Sequence, residues 1–92
     1  MPYIIPEHRI ELDPYIDNIL NKINSMGFSD KTYFAGLLNY LCTKLALGLI
    51  PEKQYWAIAA TTGALRNSAE EFYRRVAVPF EEEKMKKNGD VY

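Results

Sequence analysis

The residues best able to do chemistry lie in one short segment, 70–75, which reads Glu-Glu-Phe-Tyr-Arg-Arg. Two adjacent guanidinium groups beside a phenol can bind a phosphate or a carboxylate through paired hydrogen bonds. The same spacing also suits two ion pairs along a helix, Glu70 with Arg74 and Glu71 with Arg75, each in the favourable i,i+4 orientation. The segment is therefore either an anion-binding patch or an ordinary charged helix surface.

Other residues that could support catalysis are few. His8 is the only histidine and stands beside Pro6 in a stretch with no regular pattern, so we expect it on the surface. Cys42 is the only cysteine and lies among leucines, where a thiol usually behaves as a small buried hydrophobe. A single cysteine also excludes an intrachain disulfide and a zinc site built from several cysteines. We predict no catalytic residue.

An all-α chain of this size could be a nucleotide pyrophosphohydrolase, so its acidic residues bear on metal binding. Such enzymes hold magnesium with Glu-Glu-x-x-Glu on one helix and Glu-x-x-Asp on another, and neither motif is complete here. Hard cations need converging oxygen ligands. The sequence also lacks the glycine-rich loops that cradle phosphates. We therefore predict no metal site and no cofactor.

Composition describes an ordinary globular protein. The chain has 92 residues, of which 48% are hydrophobic and 25% charged, and this predicts one domain over 1–92. The net charge of −1 argues against nucleic-acid binding, which usually accompanies a basic surplus. No secretory signal pattern opens the sequence, so we expect a cytoplasmic protein. The apolar run over 33–50 carries Asn39, Thr43 and Lys44, which disfavour a membrane span.

The elements that must position these residues read as helices. Pro2 and Pro6 predict an extended arm over 1–12. Asp13 suits the N-cap of a first helix and Pro14 its first position, and Gly27 suits its end.

The second helix is predicted from a cap at Ser29 to about Leu49, with Phe28 and Tyr33 placed as a hydrophobic staple. Its apolar residues go nearly all the way round, so we expect a central helix covered on every side. The third helix is predicted from about Pro51 to Val76.

The third helix carries two stripes. One contains large apolar residues, including Phe72, and the other contains Trp56 with the small residues Ala59, Ala60 and Gly63. Gly63 could also kink the helix. Pro79 should break it, which leaves a short solvated helix and tail over 81–92, with i,i+4 pairs that join Glu82 to Lys86 and Glu83 to Lys87. The fold class is thus all-α, a small bundle of three main helices, a short C-terminal helix and an extended N-terminal arm.

Several sequence words resemble one family: MPYI at 1–4, LNY at 38–40, EFYRRV at 71–76 followed by Pro79, and NGDVY at 88–92. The chain resembles a group of small uncharacterised proteins of about ninety residues from bacteria, archaea and their viruses. It departs from that pattern at Arg66, where relatives resemble Gly-Val-Leu-Glu. The resemblance implies no known activity.

These observations favour a non-enzymatic helical module that self-associates, as a homodimer through the second and third helices, and presents helix faces to a protein partner. The alternative is a small ligand-binding protein or enzyme acting on a phosphorylated metabolite or nucleotide. No nucleic-acid or membrane partner is expected. The residues predicted to contact a ligand or partner are Asn39, Tyr40, Trp56, Glu71, Tyr73, Arg74 and Arg75.

Overall fold

The computed structural model describes residues 4–92. Helical residues make up 82% of this part, and it contains no strand, which confirms the all-α fold class. The chain divides into two compact units, an N-terminal unit over 4–49 and a C-terminal unit over Ile50–Tyr92.

The N-terminal unit opens with helix α1, Pro6–Ser25. Pro6 takes the first helical position, where a missing amide hydrogen costs nothing. Asp13 and Pro14 therefore lie inside the helix, and the predicted arm over 1–12 is wrong from Pro6 onward; residues 1–3 lie outside the described part. The reason is that the apolar stripe of α1 already starts upstream of Pro14, at Leu12, and continues at helical spacing.

A short connector follows α1. Gly27 has a positive φ of 67°, a conformation that glycine adopts without strain, so the predicted helix stop is confirmed. Asp30, and not Ser29, then caps a 3-10 turn over Lys31–Tyr33. Its carboxylate accepts hydrogen bonds from the Thr32 amide at 2.9 Å and from the Thr32 hydroxyl at 2.7 Å.

Helix α2 runs over Phe34–Leu49. Just before it, the rings of Phe28 and Tyr33 stand 4.6 Å apart, as the predicted hydrophobic staple requires. The N-terminal unit by itself does not give α2 the cover on every side that the sequence predicted, since Phe34, Leu38, Tyr40, Leu45, Leu47 and Leu49 are exposed. Only Leu37, Leu41, Cys42 and Ala46 are half-buried.

The C-terminal unit is helical without interruption from Tyr55 to Asn88. Helix α3, Tyr55–Phe72, passes through Gly63 unbroken, and it begins later than the predicted Pro51. A π-helical segment, Tyr73–Ala77, leads directly into helix α4, Val78–Asn88, and Gly89 follows with a φ of 85°.

Pro79 does not break the helix, contrary to the sequence prediction. A proline ring clashes with the carbonyl four residues earlier and lacks an amide hydrogen to donate. The turn before Pro79 is widened, because the Val78 amide hydrogen bonds to the Tyr73 carbonyl five residues back. Single-turn π segments of this kind occur inside α-helices. The chain therefore continues helically past the proline.

Candidate functional site

Glu71 is the centre of the charged segment. Arg75 donates from Nε to Glu71 Oε1 at 3.1 Å, and Arg74 donates from Nη2 to the other carboxylate oxygen. The Glu71 side chain is 18% exposed, whereas each arginine is 71% exposed. The predicted pair of Glu71 with Arg75 is thus confirmed. Arg74 also binds Glu71, and not Glu70 as the spacing predicted.

This arrangement leaves little positive charge on Arg74 and Arg75 for binding an anion. The two guanidinium groups share one carboxylate, which offsets part of their charge. Arg74 lines an open recess of about 450 Å³ with Ala69, Glu70 and Tyr73, all from consecutive turns of one helix. A phosphate in that recess would face the carboxylate of Glu70. Asn39 and Tyr40 are not part of its lining.

Tyr73 makes a separate contact. Its hydroxyl donates a hydrogen bond of 3.2 Å to Glu81 Oε1. This hydrogen bond, together with the negative charge of Glu81, raises the pKa of the Tyr73 phenol above its usual value. A phenol that holds its proton more firmly is a poorer base or nucleophile near neutral pH. Tyr73 therefore acts here as a hydrogen-bond donor along the helix.

Trp56 is placed at the start of α3. Its indole Nε1 donates to Glu52 Oε1 at 2.7 Å, so the polar end of the side chain is satisfied. The residue as a whole is nevertheless 58% exposed, and the adjacent Ala59 and Ala60 are exposed too. The predicted strip of small residues is therefore an open apolar face, with Trp56 at one end.

Asn39 and Tyr40 lie on α2 and have different surroundings. The Asn39 carbonyl accepts a hydrogen bond of 2.8 Å from the Thr43 hydroxyl within the same helix. Tyr40 lines a groove of about 400 Å³ in the N-terminal unit, together with Asn18, Ile19, Lys22, Ile23, Met26, Leu37 and Leu41. The helical spacing of the sequence places Ile19, Ile23 and Met26 on one apolar face of α1, whereas it places Asn18 and Lys22 on the opposite face, and the structure brings all five to the groove.

No metal site accompanies these residues. Within 4–92, no group of three or more histidine, cysteine or acidic side chains is placed to hold a metal ion. His8 lies exposed on α1 and not in an irregular arm, and Cys42 is a half-buried free thiol. None of the helices described here has the length and apolar character needed to cross a membrane.

The chain belongs to the family described as a domain of unknown function, DUF6899, whose model matches residues 1–91. Comparisons with curated proteins and with solved structures found no match. The family assignment agrees with the resemblance to a group of small uncharacterised proteins and brings no activity with it.

Proposed function

We propose that this chain is a non-enzymatic helical interaction module that functions as a homodimer and presents the remaining helix faces to a protein partner. The observation that carries the proposal lies in the C-terminal unit. Its helical elements, α3, the π segment and α4, follow one another as a single path. A continuous helical path cannot bury its own side chains, and no other helix in this unit packs beside it.

The uncovered side chains are large. Tyr55 is 86% exposed, Phe72 is 67% exposed, and Ile58, Leu65 and Val76 on the same stripe are exposed as well. Apolar surface in water is unfavourable by about 25 cal/mol per Å². Most helical stability in proteins comes from packing of the apolar face and not from intrinsic propensity. The stripe therefore requires a cover from outside the unit.

The N-terminal unit also exposes large apolar side chains. Its groove is apolar, and the α2 residues Phe34, Leu38 and Leu45 are exposed around it. Among the described residues only Ala57 is fully buried, at 1% exposure. Contiguous exposed apolar surface of this kind marks an interaction site in soluble proteins.

A second copy of the chain is the simplest cover. A two-fold interface buries the same patch on both subunits, so the apolar residues of one copy cover the same residues of the other. The strip of Ala59, Ala60 and Gly63 favours such pairing, because the distance between packed helices depends on the side chains at the contact. Helices that cross at small residues can approach closely.

The phosphorylated-ligand alternative receives no support from the geometry of Arg74 and Arg75, which share Glu71 in an open recess. The proposed location is the cytoplasm, which suits a chain whose single cysteine forms no disulfide. We also propose that residues 1–92 form a single domain.

Gly63 offers the sharpest test. A Cβ built on Gly63 meets nothing within 4 Å in the single chain, and replacing a mid-helix glycine favours the helix by about 0.5–1 kcal/mol. Gly63→Arg should therefore leave the helix intact but block close approach of a second copy. We expect the mass in light scattering to fall to the 10.6 kDa of one chain.

The matched control is Gly63→Ala, which adds the same helix propensity with almost no bulk and should retain the dimer. Circular dichroism should show at least the wild-type helix content in both variants. A Gly63→Arg protein that dimerises as tightly as the wild type would reject the proposed interface.

A further inference from the structure

The end of helix α4 places an asparagine directly before a glycine. Asn88 is the last residue of α4, and Gly89 follows it with a φ of 85° and a ψ of 153°. This combination of dihedral angles is essentially restricted to glycine. The way in which α4 ends therefore requires the glycine of this Asn-Gly pair.

An Asn-Gly pair has a specific reactivity. Hydroxide removes the amide proton of the glycine, and the glycine nitrogen attacks the side-chain carbonyl carbon of the asparagine, with no Cβ on the glycine to obstruct the approach. The new carbon–nitrogen bond closes a succinimide ring, while the bond to the side-chain nitrogen breaks and that nitrogen leaves as ammonia with a proton from water. Water then opens the ring at either of its two carbonyl groups, which yields aspartate or isoaspartate.

The fold controls access to this reaction. The Gly89 amide donates a hydrogen bond of 2.8 Å to the Met85 carbonyl, and a nitrogen that keeps its proton in this bond cannot attack. Asn88 and Gly89 are both exposed, so hydroxide and water reach them as soon as the bond opens. Helix ends fray, and the opening of a fraying end costs little free energy. The last turn of α4 is therefore the part of the helix that opens most readily.

We infer that Asn88 is a site of spontaneous deamidation, and that the hydrogen bond from Gly89 to Met85 sets its rate. The product carries one more negative charge at the negative end of the helix dipole, where the lysines of the last turn are favoured and a carboxylate is not. Isoaspartate also lengthens the main chain by one carbon, which displaces Gly89 from its helical hydrogen bond. The modification thus loosens the last turn of α4. It does not depend on the proposed homodimer.

Peptide mapping by mass spectrometry tests the site. The full chain is incubated at mildly alkaline pH, and the exchange of ammonia for water is followed at each asparagine. Asn67, which precedes Ser68 in the middle of α3, is the internal control. We expect Asn88 to deamidate at least about 10-fold faster than Asn67, because the middle of a helix opens far less often than its end. Equal rates at the two positions would overturn the assignment.

A matched pair of variants tests the control by the hydrogen bond. Met85→Gly weakens the last turn without changing the Asn-Gly pair, so deamidation in native buffer should be about 3- to 5-fold faster than in the wild type. Met85→Ala keeps a high helix propensity and should stay within about 2-fold of the wild type. In denaturing urea the hydrogen bond is absent from all three proteins, and their rates should be equal. A Met85→Gly protein that deamidates no faster than the wild type in native buffer would reject the control by this bond.

The effect on the helix is measured on the modified chain. Ion exchange separates it from the unmodified chain by its additional negative charge. Hydrogen exchange followed by NMR should show that the Gly89 amide loses its protection in the isoaspartate form. Protection equal to that of the unmodified chain would reject the loosening of the last turn, even if Asn88 deamidates as expected.

Discussion

The hydroxyl of Tyr73 reaches the carboxylate of Glu81, eight residues along the helix, at 3.2 Å. In an uninterrupted α-helix, eight residues turn a side chain about 80° away, whereas seven leave it within about 20° of the same direction. The π segment between them takes up an extra residue, which brings Glu81 onto the face of Tyr73. The widened turn lies directly before Pro79, whose ring would crowd the carbonyl four residues earlier in a regular α-helix.

Removing the charge of Glu81 should lower the pKa of the Tyr73 phenol. In Glu81→Gln we expect the pKa of Tyr73 to fall toward its ordinary value of 10.0, because the amide is a weaker acceptor and carries no charge. Carbon NMR titration of the Tyr73 ring measures this directly. Glu82→Gln is the control, since Glu82 makes no contact with the phenol and should leave its pKa unchanged.

The same contact has a defined pH dependence. A pKa that is raised in the folded protein contributes stability that is fully present below the unfolded value and is lost as pH rises through the folded value. The wild type should therefore lose its advantage over Glu81→Gln above about pH 10 in denaturation experiments. An advantage that grows with pH in that range would contradict the assigned contact.

Pro14→Ala should stabilise the protein. Pro14 lies inside α1, eight positions after Pro6, where it lacks a donor and crowds the carbonyl of Ile10. Alanine in a helix interior is favoured over proline by about 3 kcal/mol, so we expect a gain of about 1–3 kcal/mol in chemical denaturation. If α1 began at Pro14, proline would suit that first position and its replacement would give no gain. Pro6→Ala, at the true helix start, is the matched control and should be nearly neutral.

Phe72→Ala should weaken self-association. The sequence placed Phe72 on an apolar stripe, the structure leaves it 67% exposed, and the proposed homodimer would cover it. Burying a phenylalanine contributes about 1.5–3 kcal/mol, and a two-fold dimer buries Phe72 twice, so the loss of about 3–6 kcal/mol corresponds to a rise of about 100-fold or more in the dissociation constant. Tyr92→Ala removes a fully exposed side chain in the C-terminal tail and should change nothing. Equal dissociation constants for both variants would place Phe72 outside the interface.

The double variant Arg74→Ala with Arg75→Ala should have nearly the same free energy of unfolding as the wild type. Both arginines are exposed, and exposed ion pairs contribute at most about 1 kcal/mol each. We expect a small decrease in the free energy of unfolding in urea and no stabilisation of either protein by millimolar inorganic phosphate. Phosphate that stabilises the wild type and not the double variant would instead support the anion-binding alternative.

The sequence predicted helix type and apolar faces well, because periodicity and glycine stops are local signals. Gly27 ended α1 as expected, and Phe28 packed against Tyr33. The boundaries at proline were less accurate. Pro14 suits a helix start and Pro79 suits a helix end. In the structure, however, Pro14 lies inside α1 and Pro79 lies just after the π segment, and the helix continues past both residues.

The candidate site was predictable only in its residue types. The spacing of Glu71 and Arg75 predicted their ion pair correctly. The sharing of Glu71 by Arg74 depends on rotamers at the start of the π segment, which no local pattern reveals. The sequence also could not show that the apolar stripes are exposed within their own units, because an apolar stripe has the same pattern whether it packs inside one subunit or between two.

Sedimentation equilibrium of the wild-type chain at micromolar concentration tests the central claim most directly. The exposed apolar faces of α2 and α3 predict a mass of twice 10.6 kDa that falls toward one chain on dilution. A mass of 10.6 kDa at every concentration, with the fluorescence of Trp56 reporting a buried indole, would contradict the homodimer and show that the chain covers these faces by itself.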